Sequence, residues 1–273
     1  MTKTRPFRRL AVALAAMALL AACGRDAVAP SDAAIEAARA EIARSAPREP
    51  LPIPPERAAS VVRRAEAAVR PAAEAVCRER GASPCAWDVA FRPGAEFNAF
   101  ATGDNDVVML GGVVALARSE AEVAMVLAHE KAHHILDHVE QSGARAGLGA
   151  LLADMLVRLG ATWLAEGLGL PLPQGLVDVA RRTAAGAGAQ AGALVFSVAQ
   201  EREADALAAE ILARSGIDPA QARGMVLAMG VTGRGDGTPA LLRTHPAGPE
   251  RLAHWDAVTE ELRRRVPALA GGE

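Results

Sequence analysis

The 273 residues include no tyrosine, which removes the phenol hydroxyl as a donor to any developing oxyanion. Cysteine is scarce: Cys23, Cys77 and Cys85 are the only three, and no C-x-x-C pair exists to build a thiolate metal site. Charge of one sign is also missing. Thirty Lys and Arg face 32 Asp and Glu, a formal net charge of −2, with no run of basic residues to follow phosphates. Nucleic acid is therefore not an expected partner. The hydrophobic content of 51% is that of a globular chain, long enough for one sizeable domain or two small ones.

The clearest apolar run is short and stands at the start. Lys3, Arg5, Arg8 and Arg9 precede it, and it ends at Leu20-Ala21-Ala22-Cys23. This reads as a secretory signal over residues 1–22, too short for a comfortable membrane span. Its end resembles the bacterial lipobox, so Cys23 is expected to be acylated and to become the first mature residue. Loss of the four basic residues takes the net charge from −2 to −6, so lipid rather than charge would hold the chain to the membrane. Gly24, not Asp, follows the cysteine, which in Gram-negative lipoproteins favours the outer membrane with the folded part facing the periplasm. In that oxidising compartment Cys77 and Cys85 are expected to form a disulfide around Gly81 and Pro84.

Residues 23–55 are Ala-, Pro- and Arg-rich, with one helix from Ser31 to Ser45 and then P-R-E-P-L-P-I-P-P, the composition of an extended tether. Residues 56–273 form the expected domain. An Ala-rich helix runs from Glu56 to Arg80 and stops at Gly81. Ala86–Phe91 and Asp106–Leu110 carry β-branched and apolar residues between turn formers, which predicts a small sheet of two or three strands. Ser119 then opens a helix reaching about Gln141, with Glu122 in capping-box register and Val123, Val126, Leu127 and Glu130 at helical spacing. Residues 143–200 are rich in Gly, Ala and Leu; their small, weakly hydrophobic side chains favour helices packed in the protein or resting near a membrane surface over a true span. Further helices are expected from Asp218-Pro219 to Met229 and from Pro249 to Val266.

The chemistry concentrates on the helix that Ser119 opens. In His129-Glu130-Lys131-Ala132-His133 the two imidazoles project from one face a turn apart, the separation at which two nitrogens share one zinc ion. Glu130 sits about 100° round the helix, in the position of a general base. His134 points off that face, His138 is either a partner of a ligand histidine or a surface residue, and His254 reads as a surface residue. Position 139 is Val, which excludes a third histidine ten residues after the first. Glu201 is the best candidate for the missing ligand, with Asp205 one turn beyond to orient a ligand imidazole.

These segments together resemble the gluzincin metallopeptidases of the HtpX and CAAX-prenyl-protease type. Asn98-Ala99-Phe100, Val107–Leu110 with Gly111-Gly112, the His129–His133 motif with His138 following, Glu201-x-x-Ala204-Asp205, and Thr244-His245-Pro246 with Arg251-Leu252 occur in that family's order across about residues 60–255. The resemblance implies an α+β, mostly helical zincin-like domain with a small sheet beside the motif helix. It implies one zinc ion on His129, His133 and Glu201, Glu130 as base, and a substrate peptide paired along the edge strand Val107, Val108, Met109 and Leu110. His245 and Arg251 are the remaining side chains for the oxyanion, with backbone N–H groups of the edge strand as the alternative, and His245 has a second role open to it, closing the fourth zinc position in a latent enzyme. Unlike the family's membrane-embedded members this chain is expected to carry a lipoprotein signal, and its end at Glu273 is expected to leave no room for an appended repeat domain.

The expected activity is zinc-dependent hydrolysis of peptide bonds in unfolded or misassembled envelope proteins. The other reading is a chaperone-like lipoprotein that holds unfolded chains with little turnover. Glu130 argues against it, since a pure binder needs no base beside its ligands. A structural zinc protein would close all four positions with Cys or His.

Overall fold

The computed structural model describes residues 29–101, 105–142, 157, 175, 177–180, 182–183, 196–233 and 245–265. The segment expected to be an export signal, Cys23, Thr244 and most of 143–195 lie outside the described residues. The fold is mostly helical α+β. Among the described residues no helix is long and apolar enough to cross a membrane.

Helix α1 spans Asp32–Arg44, capped by the Ser31 hydroxyl, and α2 spans Pro55–Glu79. In α2, Ala58, Val62, Ala65, Val69, Ala72 and Val76 recur every three or four residues and form its buried stripe. Gly81, at a φ of 69°, ends the α2 region in the left-handed conformation that glycine adopts without cost. Across it, Cys77 in the last turns of α2 is joined to Cys85 by a disulfide.

Three strands follow: β1 (Asp88–Arg92), β2 (Ala99–Ala101) and β3 (Asp106–Leu110). Their order is β1-β3-β2, with β1 parallel to β3 and β2 antiparallel to it. This corrects the expected edge strand. Val107, Val108, Met109 and Leu110 lie in the central strand, paired with Val89–Arg92 on one side and, for Val107–Met109, with Ala99–Ala101 on the other, so their backbone is already engaged. Among the described residues the unpaired edge near the motif helix belongs to β2. Gly111 and Gly112 then open the short helix α3 (Gly111–Leu116), where the backbone of the 94–96 turn passes so close that a Cβ on Gly111 would stand 2.6 Å from the Gly94 carbonyl oxygen.

Helix α4 (Glu120–Ile135) is buried at every residue from Ala121 to Ile135, polar ones included, so the apolar stripe read from its sequence understates its position at the centre of the domain. The Ser119 hydroxyl caps it as expected, accepting from the Glu122 N–H. The carboxylate of Glu122 does not return to Ser119; it accepts from the Arg118 backbone N–H at 2.7 Å and binds Arg48 in bidentate fashion. Lys131 is fully buried, 2.7 Å from Glu66 of α2 and over the Trp87 ring, and this pairing satisfies an ammonium that burial pushes down and Glu66 pushes up in pKa.

Helix α5 (Val198–Arg214) packs on α4 and opens with a full capping box, Ser197 with Gln200. A 3₁₀ turn (Pro219–Ala222) leads into α6 (Arg223–Thr232), and α7 (Pro249–Arg265) packs against α5, α6 and α1. That packing corrects the reading of His254: it is fully buried and its Nε2 lies 3.1 Å from the Arg202 carbonyl oxygen.

The segment expected as a tether lies partly on the domain. Ile42 of α1 sits in the notch left by Gly230, Glu41 forms a bidentate pair with Arg223 at 2.7 Å, and Arg223 also holds Asp256 of α7. Farther on, the Leu51 N–H donates to the Ala115 carbonyl. The folded body therefore includes α1 and Leu51 and is not confined to residues from 56 onward.

Candidate metal centre

α4 and α5 are the two most extensively packed helices, and their contact brings the motif residues together. His129 Nε2 and His133 Nε2 are 3.1 Å apart, and the Glu201 carboxylate lies 3.3 Å from the first and 3.4 Å from the second. His245, from the segment before α7, places Nδ1 3.0 Å from Glu201 and 3.4 Å from His129 Nε2. Four ligand atoms, one from each of these residues, lie within 4.8 Å of one another, and all four residues are buried. Nitrogen and carboxylate donors at this spacing suit zinc.

Around this cluster the charges are arranged in pairs. Asp205 Oδ1 stands 3.0 Å from His129 Nδ1, the nitrogen turned away from the cluster. Arg251 reaches Asp205 with Nε at 2.8 Å and Nη2 at 2.7 Å, and its Nη1 lies 2.6 Å from Glu201. It is 2% exposed and each of its three nitrogens lies within 2.8 Å of an Asp205 or Glu201 oxygen, which argues against the oxyanion role expected of it. Burial raises the Asp205 carboxyl, but Arg251 and His129 outweigh burial and hold it at about 2. Glu201 is likewise held well below the usual carboxylate range, against burial, by Arg251 and His245. Burial lowers the His129 imidazole, yet Asp205 and Glu201 bring it up to about 9, whereas burial carries His133 well below its ordinary value despite Glu201.

Glu130 faces the cluster from the same helix. It is 1% exposed, and neither carboxylate oxygen has a hydrogen-bond partner among the described residues; His245 Nε2 stands 3.8 Å away. Beside it is a cavity of about 10 Å³ lined by Met125, Val126, His129, Glu130, Met229, His245 and Arg251, room for one water molecule. An unpartnered buried carboxylate is expensive, and next to four converging donors it marks a place where a cation and a water would complete the site. The residues thus fit a zinc ion.

Sequence reasoning missed several neighbours. Phe196 stacks on His133 at a centroid distance of 3.9 Å, and Met125 and Met229 wall the cavity. His138, for which two readings were open, turns back onto His133, as the partner reading expects. Apolar residues on helical spacing carry no mark that distinguishes a site wall from ordinary core.

Residues 63–259 match peptidase family M48. The chain is 30% identical over 176 residues to the beta-barrel assembly-enhancing protease of Escherichia coli strain K12, covering 63% of this chain and 34% of that protein. It is 29% identical over 165 residues to the protein of the same name from Yersinia pestis (58% and 31%), and 28% identical over 179 residues to a putative one from Vibrio cholerae (63% and 34%). The chain thus matches about a third of the length of these curated relatives.

Proposed function

We propose that this chain, which belongs to peptidase family M48 and is a zinc metallopeptidase, cleaves unfolded or misassembled envelope polypeptides while attached to the outer membrane through lipid on Cys23, facing the periplasm. The observation that carries the reading is the buried convergence of His129, His133 and Glu201 beside an unpartnered Glu130. The relatives' name, beta-barrel assembly-enhancing protease, supports envelope proteins as the substrate class.

His129, His133 and Glu201 would hold the ion. When bound, zinc supplies Lewis acidity to a carbonyl oxygen and makes water a better acid. Glu130 accepts the proton of the attacking water at its carboxylate and hands it to the leaving amine nitrogen. Asp205 fixes His129 through Nδ1, and Arg251 balances the two carboxylates. With β3 paired on both sides, the substrate strand pairs along the outer edge of β2, which packs on α4 and exposes Phe100.

The position of His245 favours its latent role over the oxyanion role: with Nδ1 3.0 Å from Glu201 and 3.4 Å from His129 Nε2, it stands among the residues that would hold the ion. The test is cleavage of casein by the full chain and by His245→Ala. Cleavage is expected to stop on chelation and return with zinc, and the variant is expected to be on the order of tenfold faster, because more of it has the fourth position open. Slower cleavage by the variant would return His245 to the oxyanion; absence of chelator-sensitive cleavage in both proteins would reject the peptidase reading.

A further inference from the structure

The two ligand histidines are supported differently. His129 has a buried carboxylate behind it, whereas His133 Nδ1 lies 3.1 Å from another imidazole nitrogen, His138 Nδ1, and His138 Nε2 lies 3.2 Å from Glu203 Oε2 on α5. This contact depends on a break in the chain. Helix α4 ends at Ile135, Leu136 closes it, and Asp137 adopts a φ of 57°, in the left-handed region. An unbroken helix would place His138 five residues past His133 and off its face; the break turns it back, leaving it 2% exposed while Glu203 remains 59% exposed.

We infer that His138 and Glu203 are positioning residues for the zinc site: they fix the tautomer and ring plane of His133 so that Nε2 presents its lone pair to the ion. The proton arrangement follows from donor and acceptor counting. Nε2 of His133 faces His129 and Glu201, so as a ligand it carries no hydrogen and Nδ1 does. Nδ1–H then donates to His138 Nδ1, which leaves the His138 hydrogen on Nε2, where the Glu203 carboxylate accepts it. Each member is determined by the next, and the chain ends on an acid at the protein surface. Phe196, stacked on the His133 ring, holds the same plane from its face. The inference rests on the zinc reading above.

The experiment measures zinc affinity of the full chain by competition with a chromophoric chelator, with the metal-free melting temperature recorded for each protein. His138→Phe keeps a ring but offers no acceptor, and it is expected to weaken zinc binding about 10- to 100-fold. His138→Asn places an amide oxygen where Nδ1 was and is expected to stay within about threefold of wild type. Glu203→Ala, altered at the exposed end, keeps the fold and is expected to weaken zinc binding less than His138→Phe does. Equal affinity in wild type and His138→Phe would overturn the inference, as would Asn binding as weakly as Phe at similar melting temperatures. Wild type that takes up no zinc at all would reject the zinc reading itself, and this inference with it.

Discussion

A Glu130→Gln protein is expected to bind zinc as wild type does and to cleave casein about 10²- to 10⁴-fold more slowly. The amide preserves size and shape but cannot accept a proton, and Glu130 lies outside the group of four ligand-distance residues, so the ion's site is left intact. The substitution also removes a buried charge without a hydrogen-bond partner, so the melting temperature should stay level or rise. Loss of activity together with loss of zinc would place Glu130 among the ligands instead. Undiminished cleavage would end its role as base.

Arg251→Met should damage the fold more than any other single change near the site. The guanidinium is 2% exposed and is the shared partner of Asp205 and Glu201; an apolar side chain there leaves two buried carboxylates facing each other across one imidazole. Removing one partner of a buried ion pair costs about 3–5 kcal/mol, which for a domain of this size lowers the melting temperature on the order of 10 °C. Acid should narrow the difference. Asp205 is held at about 2 and Glu201 well below its ordinary value, so the stability they supply is present above the unfolded carboxyl range and is lost as pH falls through their folded values. Scanning calorimetry of both proteins from pH 7 downwards tests this: a gap that is absent at pH 7, or that widens in acid, would show that Arg251 does not hold these carboxylates.

What could be read from the chain beforehand divides along physical lines. His129, Glu130 and His133 could be grouped from the chain because the 3.6-residue period brings them together within one turn, whereas Glu201 and Asp205 stood out only because that motif lacks a third ligand. The α2 stripe and the Ser119 cap were legible because they too form between residues a few positions apart. The order of the strands was not: whether Val107–Leu110 is central or at an edge depends on partners at Asp88–Arg92 and Ala99–Ala101, and alternating apolar residues suit either place. The role of Arg251 was hidden because its partners lie 46 and 50 positions away on another helix. His138 was left between two readings because a left-handed Asp137 is a single-residue event with no periodicity. The seating of α1 was missed because its fully buried contacts are Ala38 and Ile42, the latter in the gap over Gly230, a weak apolar signal in a helix that is elsewhere half-buried or exposed.

That seating sets the length of a leash. With Cys23 lipidated as proposed, only the eight residue steps from Cys23 to Ser31 separate the acyl chains from a residue that is part of the folded body. Fully stretched they span about 28 Å. A catalytic centre on so short a leash sweeps a thin shell above the bilayer, and any polypeptide held in the same leaflet meets it at an effective concentration on the order of millimolar. Weak intrinsic affinity for unfolded chain would then suffice for targets emerging at the membrane, while chains diffusing freely in the periplasm would go largely uncut. Selection of substrates by where they stand needs no specificity pocket at all.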